Sequence, residues 1–175
     1  VGAEVASTRG GRRAHPPKVI SMINTKKINK NELKMAFASA LSASTKEKFL
    51  ISKYKRLEGK KIEHLPFIVD GKITSLKTKG LISSVEKILG RDLFEVAIRT
   101  RKNNSGKGKM RGRKHKTNAG MLIVVGEKEK MKTNIFETRN AKNLSVNDLA
   151  LGGPGRLTLY TEQAIRDIGE RKWKK

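Results

Sequence analysis

Apolar residues along this chain gather in short clusters separated by long cationic stretches. Between residues 31 and 44, Leu33, Ala36, Phe37, Ala40 and Leu41 recur at helical spacing and share one face, with Asn31 placed to cap the helix. Phe49, Leu50 and Ile51 follow closely, and the pattern leaves open whether the helix continues through them, since residues 54–61 are polar and basic. Residues 65–69 read as a short buried strand ended by the turn signal Asp70 and Gly71. A second helix is predicted over residues 75–89, where Leu81, Ile82, Val85, Ile88 and Leu89 form one stripe and Gly90 can close the C-terminus. Strand-like runs follow at residues 93–98 and 121–125, the second being continuously apolar, as in strands buried on both faces. Residues 157–160 predict a last strand, and a helix opening at Thr161 carries Ala164, Ile165 and Ile168 on one side.

Alternating strands and helices predict an α/β fold, a mainly parallel sheet flanked by helices, over residues 31–175. Residues 1–30 show no apolar periodicity and are expected to form an extended basic N-terminal arm. In it, Arg9, Gly10, Gly11, Arg12, Arg13, Ala14, His15, Pro16, Pro17 and Lys18 include no acid. The prolines hold the backbone extended, and the glycines admit another backbone closely. Composition alone fits a solvated tail equally well.

Charge adds the decisive constraint. Lys and Arg number 40 against 16 Asp and Glu, a formal net charge of +24. Self-repulsion of that size is relieved by a polyanion, so nucleic acid is the partner that composition implies. Hydrophobic residues make up only 36% and aromatics 5%, which agrees with part of the chain lying outside a core. The absence of cysteine excludes disulfide scaffolds, thiolate zinc sites and thiol nucleophiles. No apolar run approaches the ~20 residues that span a bilayer, and the N-terminus has no signal-like apolar core. The expectation is a soluble intracellular chain with no membrane partner.

The sharpest local feature is the loop at residues 99–118. Arg99, Arg101, Lys102, Lys107, Lys109, Arg111, Arg113, Lys114 and Lys116 occur there without one Asp or Glu. Gly106, Gly108 and Gly112 interleave them, so the backbone can follow a curved phosphate path while guanidinium forks and ammonium groups meet oxygens on either side. Such a loop holds phosphate more readily than it reads bases. The glycines do not form a nucleotide-binding P-loop, which needs four residues between its glycines and Ser or Thr directly after the lysine; the dinucleotide fingerprint fails as well, because Gly112 lies four positions beyond Gly108. No catalytic, metal or cofactor constellation is legible. Of the three histidines, His15 and His115 sit in basic runs, where stacking or phosphate contact suits them, and His64 precedes a strand as a structural residue. Asp92, Glu95 and Asp148 are scattered among cations and are expected to form ion pairs.

With these motifs in order, the chain resembles the ribosomal large-subunit protein four family in its archaeal form. The similarity is carried by GRRAHPPK at residues 11–18, AFASALSA at 36–43, SGKGKMRGRKHK at 105–116, MLIVV at 121–125, residues 138–140, and LALGGPGRLTLYTEQAI at 149–165. It covers nearly the whole chain, with two departures: the family's opening strand, first helix and outgoing arm have no counterpart upstream, and residues 139–149 look shorter. The resemblance implies a structural constituent of the large ribosomal subunit, not an enzyme, found in the cytoplasm within the ribosome. Its partners would be large-subunit ribosomal RNA and neighbouring large-subunit proteins; neither a small-molecule substrate nor a homo-oligomer is expected. The arm would run through RNA toward the peptide exit tunnel. On that mapping Arg9, Arg12, Arg13, His15 and Lys18 contact RNA from the arm, Arg101, Lys107, Lys109, Arg111, Arg113, Lys114 and Lys116 from the basic loop, and Arg139 and Arg156 more weakly.

Two rival classes share the charge. A chromatin or RNA-packaging module would favour repeats or a Lys-rich tail without α/β order, and an RNA-processing enzyme would need an acidic cluster or a histidine pair near the basic loop. If residues 1–30 order only against RNA, limited proteolysis trims them from the isolated protein and spares them in the RNA-bound one. Resistance without RNA would overturn that expectation.

Overall fold

The computed structural model describes His15 and residues 18–23, 27–62 and 64–171. Most of the expected arm, including Arg9, Arg12 and Arg13, lies outside the described residues. Val19–Met22 (α1) make one helical turn with no buried residue. Lys30–Thr45 form α2, capped by Asn29, whose side chain accepts from the Asn31 N–H at 3.0 Å; the cap therefore lies two residues before the expected Asn31. Extended backbone at Lys46 ends α2, and Glu47–Lys53 (α3) begin a separate helix. That break sends Phe37 and Ala40 into one apolar cluster and Leu50 into another.

Phe67–Val69 form β1, and Asp70 caps the 3-10 turn that follows. Thr78–Ala97 form α4, kinked at Gly90, where φ is 73° and ψ is 168°. Here one expectation holds and one is corrected. Gly90 closes the first helical stretch as expected, but a second stretch follows it directly instead of a loop, and the predicted strand at residues 93–98 is helical through Ala97. Leu93, Val96 and Ala97 are buried at i, i+3 and i+4, a helical period that the local mix of Phe, Val and Ile disguised as strand. Arg101–Asn103 (β2) and His115–Thr117 (β3) then pair as an antiparallel ribbon. Leu122–Val125 form β4, Glu137–Asn140 β5, Val146–Leu149 α5, Thr158–Thr161 β6 and Glu162–Gly169 α6. Thr161 caps α6 as expected, its hydroxyl accepting from the Ala164 N–H at 3.2 Å.

The four-stranded sheet has the order β1-β6-β4-β5 and is parallel throughout. The predicted α/β architecture is present. Every residue of β4 and β6 is buried, as two-sided burial of central parallel strands requires. Alternation assigns Ile123, Val125 and Leu159 to the face covered by α3 and α4, and Leu122, Val124 and Tyr160 to the face covered by α2, α5 and α6. The strand β5 escaped the sequence pattern because its residues are Glu, Thr, Arg and Asn; as an edge strand it pairs with β4 alone.

A glycine contact fixes how the loop before β6 meets α3. Gly155 has φ of +78°, and a Cβ there would fall 2.5 Å from the Phe49 carbonyl carbon. Gly59 shares that φ with nothing within 4 Å of its would-be Cβ. Gly59→Ala should therefore cost about 1 kcal/mol, from backbone strain alone, and Gly155→Ala about 3 kcal/mol, because overpacking adds to strain. Denaturant unfolding at high salt measures both, and equal losses would show that the Gly155 contact is slack.

Candidate nucleic-acid interface

The basic loop is a built structure. In the β2–β3 ribbon Arg101 lies opposite Thr117, Lys102 opposite Lys116 and Asn103 opposite His115. Asn118 closes its base: its side-chain oxygen accepts from the Thr100 N–H at 2.7 Å, and its side-chain nitrogen donates to the Ile98 carbonyl at 2.9 Å. Asn104 closes the upper part, donating from its side chain to the Arg113 carbonyl at 2.6 Å and from its backbone to the Lys114 carbonyl at 2.9 Å. The tip is a 3-10 turn, Gly106–Arg111, ended by left-handed Gly112 with φ of 79°.

Lys107, Lys109 and Arg111 stand on that tip, Arg113 and Lys114 on the descending limb, and Arg101 and Lys116 on the strands; all are exposed. Among the described residues none of the nine cations from Arg99 to Lys116 makes an ion pair. Cations elsewhere do: Lys60 pairs with Asp92, Lys142 with Glu127, and Arg139 with Glu137 and Asp148. Asp92 and Asp148 thus act in ion pairs as expected. His15 and Lys18 are exposed in the described part of the arm.

One expected contact is corrected. The Arg156 side chain is 0% exposed. Its Nε donates to the Gly120 carbonyl at 3.1 Å, its Nη1 to the Asp148 carbonyl at 2.7 Å, and its Nη2 to the Ala119 carbonyl at 2.7 Å and the Glu137 carboxylate at 2.8 Å. Each guanidinium nitrogen donates to an acceptor inside the protein, so the buried Arg156 is committed to the fold. Glu137 also accepts from Arg139 at 3.3 Å, which leaves Arg139 half-exposed but already bound to two carboxylates.

Cations that the sequence pattern did not single out lie beside the ribbon. Lys53, Lys55 and Arg56 from α3 and the turn after it face Thr100, Lys102 and Asn118 across a groove of about 520 Å³. Lys53 is partly tied down, donating to the Leu151 and Gly153 carbonyls at 2.8 Å each. Burial of its ammonium, with the Arg156 guanidinium nearby, lowers its pKa to about 8. A second cleft, about 580 Å³, lies between Arg99, Arg101, His115 and Thr117 on one side and Asn134 on the other. Farther away, Lys60, Lys61, Lys87 and Arg91 rim a groove of about 680 Å³ beside His64, whose φ is 64°. No sequence period marks these additions, because they converge from separate elements.

In open parallel α/β sheets, ligands bind in the crevice beyond the carboxyl ends of the strands. Here the Glu129 carboxylate bridges the ends of β4 and β6, accepting from the Gly126 N–H at 2.7 Å and the Thr161 hydroxyl at 2.6 Å.

Residues 3–171 match the sequence profile of the ribosomal protein L4/L1 family. The chain belongs to that family. Among similar proteins, the large ribosomal subunit protein uL4 of Methanosphaera stadtmanae is 35% identical, covering 96% of this chain and 66% of its own length. The uL4 proteins of Methanocaldococcus jannaschii and Sulfurisphaera tokodaii are 38% and 40% identical, covering 97% and 94% of this chain and 68% and 64% of their own lengths. The chain therefore spans about two thirds of the length of these archaeal relatives. The L4/L1 resemblance in the motifs is thus borne out at the level of the family. The match includes the ribbon and the segment that delivers Arg156.

Arg156→Lys keeps the charge but cannot reach four acceptors that diverge in direction. It should destabilise the protein by about 3 kcal/mol, as breaking a buried pair does, while the salt dependence of RNA binding stays unchanged. A reduced salt slope in that variant would return Arg156 to the interface.

Proposed function

We propose that the chain is a structural constituent of the large ribosomal subunit that binds ribosomal RNA through the β2–β3 ribbon and supports assembly. It works in the cytoplasm, within the ribosome, among neighbouring large-subunit proteins, and its arm at residues 1–30 extends toward the peptide exit tunnel from the domain at 31–175. The observation that carries this reading is the set of nine exposed cations from Arg99 to Lys116, without an internal counter-charge among the described residues. Lys102 and Lys116 stand directly opposite each other, a repulsive cross-strand pair that an external anion relieves. RNA helices are recognised largely through phosphate, 2′-hydroxyl and shape, which Arg and Lys on a glycine-bearing turn can follow. Family membership supports the same conclusion, since the relatives are named as large-subunit proteins.

Replacing Lys107, Lys109, Arg111 and Arg113 together with Gln should weaken binding to large-subunit ribosomal RNA. The slope of log affinity against log salt should flatten by about 0.7 to 0.9 for each phosphate that is no longer neutralised. Titrations at several salt concentrations measure it, and an unchanged slope would exclude the tip as the grip.

A further inference from the structure

The ribbon's register sorts its cations by face. Successive residues of a strand point to opposite faces, and residues paired across the ladder share one. Arg101 and its partner Thr117 therefore lie on one face, with Arg99 and His115 each two residues away. Lys102 and its partner Lys116 lie on the other, with Thr100 and Asn118. Each face opens on its own hollow. The arginine face lines the cleft with Asn134, and Thr100, Lys102 and Asn118 of the lysine face line the groove with Lys53, Lys55 and Arg56. Glu95 is the acid in that groove, against four cations; no acid lines the cleft.

We propose that the ribbon is a partition between two separate segments of RNA backbone, one held on each face. The proposal rests on the RNA-binding reading above and adds to it the number and placement of the segments. Charge separation is the reason. Side chains on opposite faces of a strand point away from each other, so extended Arg and Lys side chains hold their charges farther apart than the ~8 Å screening length at physiological salt. A phosphate backbone on the arginine face therefore leaves Lys102, Lys116, Lys55 and Arg56 largely uncompensated, and the Lys102–Lys116 repulsion stays. A second backbone that runs along the lysine face and over the groove compensates them. The faces also differ in chemistry: Arg99 and Arg101 present planar forks suited to bidentate phosphate contact, whereas the lysine face offers ammonium charges that tolerate varied approach.

The test is hydroxyl-radical footprinting of purified large-subunit ribosomal RNA bound by the full chain. Wild type is compared with Arg99→Gln/Arg101→Gln and with Lys102→Gln/Lys116→Gln, each first shown to keep its thermal midpoint. Each double variant should lose protection over a different stretch of RNA and keep the stretch that the other gives up. Lys102→Arg/Lys116→Arg, which keeps the charge, should retain the second stretch. If both Gln variants lose the same stretch, or only one loses any, a single backbone meets the ribbon; the partition is then wrong while RNA binding stands. If neither changes the footprint and wild type protects RNA elsewhere, the ribbon is not an RNA contact, and the function proposed for it fails together with the partition.

Discussion

A single guanidinium, that of Arg156, joins four parts of the fold at one buried point. It binds the carbonyls of Ala119 and Gly120 where the chain leaves the ribbon for β4, the carbonyl of Asp148 in α5, and the carboxylate of Glu137 at the start of β5. A buried cation is tolerated only when its donors are satisfied and its charge is paired. The surroundings are consequently arranged around it. Gly155 has no side chain, so the preceding loop can press against the Phe49 backbone and set Arg156 inside. Lys53 ties the same loop through two carbonyls, and the Tyr54 hydroxyl accepts from the Leu157 N–H at 3.3 Å just beyond.

That arrangement divides the cations into two populations with opposite requirements. Arg156 lies in low dielectric and is stable only because Glu137 and the carbonyls are there. The ribbon's cations lie in water, and pairing them internally would remove what attracts an external polyanion. Arg139 stands between, half-exposed and shared by Glu137 and Asp148, so it extends the internal network toward the surface. A net charge of +24 is thus an uneven distribution, neutral where the sheet is assembled and unbalanced at the ribbon.

Much of the sheet was legible from the chain. Continuous apolar character at residues 121–125, and Thr161 ahead of Ala164 and Ile168, each had one physical solution: a strand buried on both faces and a capped helix. What failed did so where local pattern is ambiguous or silent. Residues 93–98 carry apolar residues at both strand and helix intervals, and only packing of Leu93, Val96 and Ala97 into the same cluster as Leu89 decides between them. The polar strand β5 is recruited by β4 and by Glu137's contact with Arg156, neither of which leaves a local trace. For the interface, the absence of acid showed where the cations were, but not that they formed a ribbon, since its strands have neither apolar alternation nor a short turn. Arg156 was misplaced for a related reason: charge type does not reveal burial, and its acceptors are mostly backbone carbonyls, which are the same in any sequence.

The internal anchor and the exposed ribbon belong to one design, because the anchor holds the ribbon's foot. The outgoing limb leaves α4 at Ala97, and the returning limb passes Gly120, whose φ is 62° and whose would-be Cβ would lie 3.1 Å from the Ala97 carbonyl. Met121 N–H donates to that carbonyl at 2.9 Å, and Arg156 holds the two carbonyls just before it. A loop of this composition without such ties would have to be ordered by RNA, at a cost on the order of 1 kcal/mol per residue of backbone entropy. The ladder, Asn104, Asn118 and the Arg156 anchor fix the backbone beforehand, so the contact free energy is not consumed in ordering it. Like charges can then be held apart from their counter-charges in the free protein, because the restraint comes from the neutral core beneath them.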